Sequence, residues 1–437
     1  MTELTARVVK VMRERGMLPS FAAGTVLPLP AVNKVEFYPT FRCNDSCDHC
    51  ITRSGPDREE TLDPEDAATS IENVATFSVV ARMRRLYGEG DFRCKPSVQC
   101  IELGRRQRPP AKLDDPLKKA YAECLQGKGN VAEWVTHSER IRLNYGRPSV
   151  RISGGEFYMW PFRLAGRKLS EDERLRHQSQ LVGEIRFRLP DYDTWILTNG
   201  RFATSRDRAD KVVGHWARNA NSLEAGGRTR LCISVDIFHR PPAGGTVEEM
   251  LESIWRASHR HGLGAPFLYG ISNNRIGYLG RAFEQFRVGV LEPHEIKNAS
   301  CSTFNPASCM SVDPIDLVCQ GGCREVKGFY FEHAGGCLLA NNIVISPSGR
   351  MVYCCACLGD YGDFVNEPAR CLERVVLDPV SIMLRRTETA IPFLETAVEL
   401  DPTVQVFGAG PHPAVTASTC YQMMTGERIG SAVGRPT

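Results

Sequence analysis

Three cysteines stand in one short stretch, RCNDSCDHC, at positions Cys43, Cys47 and Cys50. Their spacing is C-x3-C-x2-C, and no fourth cysteine lies nearby. A structural zinc ion takes four closed ligands, and an electron-transfer iron–sulfur cluster takes four cysteines. Three thiolates instead suit a 4Fe–4S cube whose fourth iron stays open to an exogenous ligand. The competing reading is a zinc site completed by His49 or by a remote cysteine.

The whole chain carries seventeen cysteines among 437 residues, an odd total with a second dense patch between Cys301 and Cys371. That distribution fits metal binding better than a disulfide framework. Hydrophobic residues make up 42% and charged residues 24%, an ordinary globular balance, and the length suggests two or three domains. A net charge of +3 is too mild to argue for nucleic acid, and GRRQRPPAK (Gly104–Lys112) reads as a solvated loop. No apolar run reaches the ~18–20 residues of a membrane span, and the N-terminus lacks a secretory apolar region. The expectation is a soluble cytoplasmic protein.

Positioning the cysteine loop requires elements on both sides of it. A short helix is expected over residues 3–15, and KVEFYP (Lys34–Pro39) reads as a buried strand leading into the loop. TLDPEDAATSIENVATF then opens a helix, with Asp63 as cap and Pro64 in the first turn. Beyond it, SVRISGG, TWILTNG, RLCISVD and PFLYGIS alternate with helical stretches, the pattern of βα units around a parallel sheet. In such sheets functional loops lie at the carboxyl ends of strands. The cysteine loop, GGE, TNG and SVD all fall there, which points to one site on one rim. Residues 80–147 are too long for a simple crossover and read as an insertion, with Cys94, Cys100 and Cys124 as scattered core thiols. From about Ser300 the chain turns Cys- and Gly-rich, marking a second domain, and 401–437 form a Gly- and Pro-rich tail.

RCNDSCDHC resembles the signature of the radical S-adenosylmethionine (radical SAM) superfamily, and the resemblance extends over much of residues 35–285. It implies an α/β fold, a partial (β/α)6-type barrel preceded by a lead-in over 1–34. It also implies that Cys43, Cys47 and Cys50 hold a 4Fe–4S cluster whose open iron chelates S-adenosylmethionine. His49 takes the position that lies near adenine in the family. Gly154, Gly155 and Glu156 resemble the motif that meets the methionyl amino group. The glycines are expected to admit close backbone approach, and Glu156 to offer its carboxylate to the ammonium. Asn199 in TNG, with Ser234 and Asp236 in SVD, fall where ribose and carboxylate contacts are common. GISNNRIGYLGRA (Gly270–Ala282) resembles a later adenine-contacting segment. The roughly hundred residues between the cysteines and GGE are more than the family usually shows.

CLLANNIVISPSGRMVYC (Cys337–Cys354) reads as two strands around a turn, with a cysteine at each end. In an antiparallel hairpin both ends are neighbours. The segment resembles the opening of SPASM and twitch extensions, placing an auxiliary-cluster domain over 286–400. Later cysteines depart from the SPASM pattern, so Cys319 and Cys323 of CQGGC are the candidates to complete one auxiliary 4Fe–4S site with Cys337 and Cys354. Cys371 is among the spare ligands, and a zinc ribbon is the alternative. GDFVNEPARCLERV resembles the strand and helix that follow in such domains.

The implied reaction is reductive cleavage of S-adenosylmethionine and hydrogen abstraction, with electrons from an external flavodoxin- or ferredoxin-type donor. His239 and Arg240 follow SVD and are weak catalytic candidates, whereas Tyr158 and Trp160 read as core or pocket wall. Only about 34 residues precede the first strand, too few for a leader-binding domain, which favours a small-molecule substrate. Modification of a peptide or protein side chain, and a non-catalytic zinc or iron–sulfur scaffold, are the alternatives.

Overall fold

A computed structural model of the chain describes residues 1–18, 32, 34–47, 50, 52–78, 149–220, 228–234, 242–263, 266–269, 342–353, 358–384, 387–404 and 422–426. The opening helix α1 (Glu3–Glu14) is capped by Thr2, whose hydroxyl accepts from the Thr5 N–H. Strand β1 (Lys34–Thr40) is almost wholly buried, and α2 (Pro64–Thr76) begins as expected, with Asp63 accepting from the Glu65 N–H. Three βα units follow: β2 (Ser149–Gly154) with α3 (Glu171–Arg188), β5 (Asp193–Thr198) with α4 (Arg206–Arg218), and β6 (Thr229–Ser234) with α5 (Val247–Arg260). Between β2 and α3 lies a small hairpin, β3 (Arg163–Leu164) and β4 (Arg167–Lys168). Capping boxes at Ser170/Glu173 and Thr246/Glu249 fix the starts of α3 and α5.

Strand β7 (Phe267–Tyr269) ends the run on one side. The remaining strands are β8 (Asn342–Ile345), β9 (Arg350–Tyr353) and β10 (Leu358–Asp363), followed by α6 (Pro368–Leu377), α7 (Pro379–Leu384) and α8 (Thr387–Leu400). The SPSGR turn does make a β8–β9 hairpin, with Ile343 opposite Tyr353. The hairpin joins the main sheet, where β8 lies parallel to β1 in the register Val35↔Ile343 and Phe37↔Ile345. The eight-stranded order is β10-β9-β8-β1-β2-β5-β6-β7, with β9 antiparallel to both neighbours. Among the described residues no helix is long and apolar enough to cross a membrane.

From β1 to β7 the order never reverses, so this half of the sheet has no switch point. Crossovers of one hand then put the described helices on the same face. Side-chain parity agrees, since successive strand residues point to opposite faces. Val35, Phe37, Val150, Ile152, Ile196, Leu231, Ile233, Ile345 and Met351 share the main core with α1 to α8. Their alternate neighbours do not. Tyr38, Val344 and Val352 form one small cluster, and Trp195 and Cys232 form another, on the face opposite the described helices.

The core is densest beneath the β2 end. Phe157, Trp160, Phe202 and Trp216 pack ring on ring, with neighbouring centroids 5.2–5.9 Å apart. Buried Gln178 receives the Trp216 indole N–H at 2.8 Å and donates to the Tyr158 carbonyl at 3.0 Å. Tyr158 and Trp160 are thus core side chains, as their sequence context suggests. Truncating a buried tryptophan of this kind costs about 3–5 kcal/mol. Thr5 donates to the Met423 carbonyl at 2.8 Å, tying the first helix to the far end of the chain.

Candidate functional site

The loop after β1 is closed at its base by the chain itself. The Cys43 N–H donates to the Gly55 carbonyl at 3.0 Å, and the Gly55 N–H returns a bond to Phe41 at 3.2 Å. Cys43, Cys47 and Cys50 are half-buried cysteines on this closed loop, at the carboxyl end of β1. Two sulfurs have donors in reach. The Ser54 N–H lies 3.2 Å from the Cys50 sulfur, and the Asn199 amide nitrogen lies 3.7 Å from that of Cys43.

Strand β2 ends directly under the loop. The Gly155 N–H donates to Thr40 at 2.8 Å and the Glu156 N–H to Arg42 at 2.9 Å. A Cβ on Gly155 would stand 2.3 Å from the Arg42 carbonyl oxygen, and one on Gly154, at φ +96°, 2.8 Å from Tyr38. Both glycines therefore serve to seat the cysteine loop on β2. The space a side chain would fill is occupied by the chain's own backbone and by Tyr38. The hydroxyls of Thr52 and Ser54 complete the seat, donating to the Gly154 carbonyl at 2.8 and 2.9 Å.

Glu156 is buried, and its carboxylate joins two strand ends. It accepts from the Thr198 hydroxyl and the Asn199 N–H, each at 2.8 Å, and from the Tyr158 N–H at 3.2 Å, capping the short 3-10 turn Phe157–Met159. The family resemblance implies an ammonium contact for Glu156; in the structure its carboxylate accepts these three bonds. Asn199 reaches the cysteine loop, with its side-chain nitrogen 2.7 Å from the Asn44 oxygen. Arg201 donates to the Asn44 carbonyl and pairs with Asp45, both at 3.1 Å. Ser234 ends β6 opposite Tyr269, on the same rim of the parallel strands.

At Cys43 the surroundings favour the protonated thiol in the absence of a cation. Burial first, then the nearby Glu156 carboxylate, push Cys43 up to about 12. Metal ligation needs the thiolate, and a bound cation reverses this bias. Among the described residues no three His, Cys, Asp or Glu side chains are gathered closely enough to hold a metal ion. Three thiols with N–H groups beside two of the sulfurs are the kind of donors an iron–sulfur cluster would take, but they are not a preformed cage.

His49, Asp236, His239, Arg240, Cys319, Cys323, Cys337 and Cys354 lie outside the described residues, as do the 80–147 insertion and Gly270–Ala282. Cys371, a spare ligand by sequence, is a core thiol of α6, 1% exposed. Sequence reasoning missed Thr52, Ser54, Asn44 and Arg201, because no spacing marks a residue that acts on a loop from a distant strand.

It also missed a charged row lower on the face opposite the described helices. Register places Glu36, Arg151, Trp195 and Arg230 side by side across four strands. Glu36 is buried, 3.6 Å from Arg151, and the Arg230 guanidinium lies 5.5 Å from the centre of the Trp195 ring. Burial raises the Glu36 carboxyl, opposed by Arg151 and by the Ser153 hydroxyl. An open groove of about 530 Å³ lies instead on the helical layer, along α4 and beside His261. There Asp210 pairs with Arg260 and His261, at 2.8 and 3.2 Å, as part of a solvated helix surface.

Compared with known proteins, the chain matches no family model and no curated protein.

Proposed function

We propose that this chain is a radical SAM enzyme acting on a small molecule in a reducing, cytoplasmic setting. The observation that carries the reading is the closed loop of three half-buried thiols at the end of β1, packed against the ends of β2 and β5. A 4Fe–4S cluster with one open iron, bound together with S-adenosylmethionine, would supply the electron and the carbon radical that removes hydrogen from substrate. Cys43, Cys47 and Cys50 are the thiols that would hold it.

The chain's own contribution is placement and exclusion of water. Thr52, Ser54 and Gly154 seat one side of the loop, and Asn199 and Arg201 the other. The placement of the described helices on one side of the sheet and the unreversed strand order support a partial barrel, whose interior would be the face carrying Tyr38, Trp195 and the Glu36–Arg151 pair. A polar wall below the rim suits a polar small molecule. The hairpin pairing of Ile343 with Tyr353 brings its two open ends together, which supports an auxiliary cluster on Cys337 and Cys354 with Cys319 and Cys323. An external flavodoxin- or ferredoxin-type donor would feed electrons to the loop.

The test is anaerobic reconstitution with iron and sulfide, followed by reduction in the presence of S-adenosylmethionine. The expected result is a brown protein that yields 5′-deoxyadenosine and methionine, with the yield abolished by Cys43→Ala, Cys47→Ala or Cys50→Ala. A chain that binds zinc at these thiols, takes up no cluster and leaves S-adenosylmethionine intact overturns the reading.

A further inference from the structure

We propose that Asn199 is a positioning residue for the Cys43 sulfur, and that its side-chain N–H raises the reduction potential of the cluster held there. The inference rests on the cluster assignment just made, and adds to it a residue acting through a ligand.

The orientation of the Asn199 amide is fixed by its neighbours. The Arg201 backbone N–H, 3.1 Å from Oδ1, can only donate, so the oxygen must face it. The nitrogen then faces the loop, where its two hydrogens meet Asn44 Oδ1 at 2.7 Å and Cys43 Sγ at 3.7 Å. Its own backbone N–H is held by Glu156, which Thr198 and Tyr158 hold in turn. The amide is therefore anchored on all sides. Arg201 draws the loop down onto it through the Asn44 carbonyl and Asp45.

A hydrogen bond to a ligating sulfur withdraws electron density, and so favours the reduced cluster, which carries one more negative charge. On Cys50 the N–H donor is the backbone of Ser54, which no substitution short of proline removes. On Cys43 the Asp45 backbone N–H is joined by a side-chain donor, whose share substitution can isolate.

The test compares Asn199→Ala with Asn44→Ala in the reconstituted full chain. Iron and sulfide per chain report retention, and a redox titration followed by electron paramagnetic resonance reports the potential. Asn199→Ala is expected to shift the potential to more negative values, while Asn44→Ala, which loosens the same loop but spares the N–H to sulfur, leaves it near wild type. Equal potentials in wild type and Asn199→Ala, or equal shifts in both variants, overturn the proposal. Should Asn199→Ala lose its iron, Asn199→His, which retains an N–H, decides. Recovery of both iron and potential supports the role, and failure to recover them overturns it. A wild-type chain that takes up no cluster sinks the parent reading as well, and is seen before any variant is made.

Discussion

The hydroxyl of Thr198 donates to the Glu156 carboxylate across 2.8 Å, joining the ends of β5 and β2. With the Asn199 and Tyr158 N–H groups on the same carboxylate, removing it strands three buried donors. Glu156→Ala is expected to cost about 3 kcal/mol, since bonds to charged acceptors contribute ~1.5–3 kcal/mol each and the losses overlap. The melting temperature should fall by several degrees. An unchanged melt, with weakened S-adenosylmethionine binding alone, would show Glu156 to be a ligand rather than a tie.

Gly155→Ala should displace the cysteine loop, because the added methyl meets the Arg42 carbonyl oxygen at 2.3 Å. Overpacking of this kind costs ~1–3 kcal/mol, and iron retained after reconstitution should drop with it. Gly245→Ala is the control, its nearest neighbours lying at an ordinary 3.7 Å. If both variants keep iron equally well, the seat is not what the glycine provides.

Much of this arrangement is legible from local signals. Asp63–Pro64 announces α2, and the strand-end positions of the cysteines, GGE and TNG place them on one rim. What the residues do to one another there is not local. Gly155 needs its missing side chain because of Arg42, and Asn199 matters because of Cys43, contacts made only once two strands lie side by side. The β3–β4 hairpin turns on Ala165 and Gly166, both at positive φ, and Ala-Gly is a faint turn signal beside Asn-Gly. Helix α8 runs through Pro392, a residue type that ordinarily breaks or kinks a helix interior. The row from Glu36 to Arg230 depends on register, which no single strand reveals.

That row makes its own prediction. Arg151→Met takes from buried Glu36 the stronger of its two cations, leaving Lys34, so its already raised pKa rises further. A folded-state pKa above the unfolded value removes stability as pH climbs through it. The variant should therefore lose most at pH 8 and least near pH 4, by up to ~3–5 kcal/mol for a broken buried pair. Adding Glu36→Gln should restore part of the loss at pH 8. Denaturant midpoints at the two pH values that fall in parallel would refute the coupling.

Cys371 offers a test at alkaline pH. Burial first, with Asp363 and Glu367 adding to it against Arg374, pushes its thiol up to about 11 from 9.0. The neutral thiol's contribution is complete below about pH 9 and disappears as pH rises through about 11. Native protein should resist iodoacetamide at this residue near neutral pH, and Cys371→Ala should show a flatter decline in stability between these values. Rapid native alkylation at Cys371, mapped by mass spectrometry, would remove it from the core.

The pairing of Lys34 with Asn342 sets when the fold can be completed during synthesis. Strand β1 leaves the ribosome early, yet one of its two flanks stays open until β8 has been made. Pairing of such high contact order is slow, and an unpaired edge is prone to mispair with other chains. Expression yield should therefore hinge on how that edge is shielded in the interval.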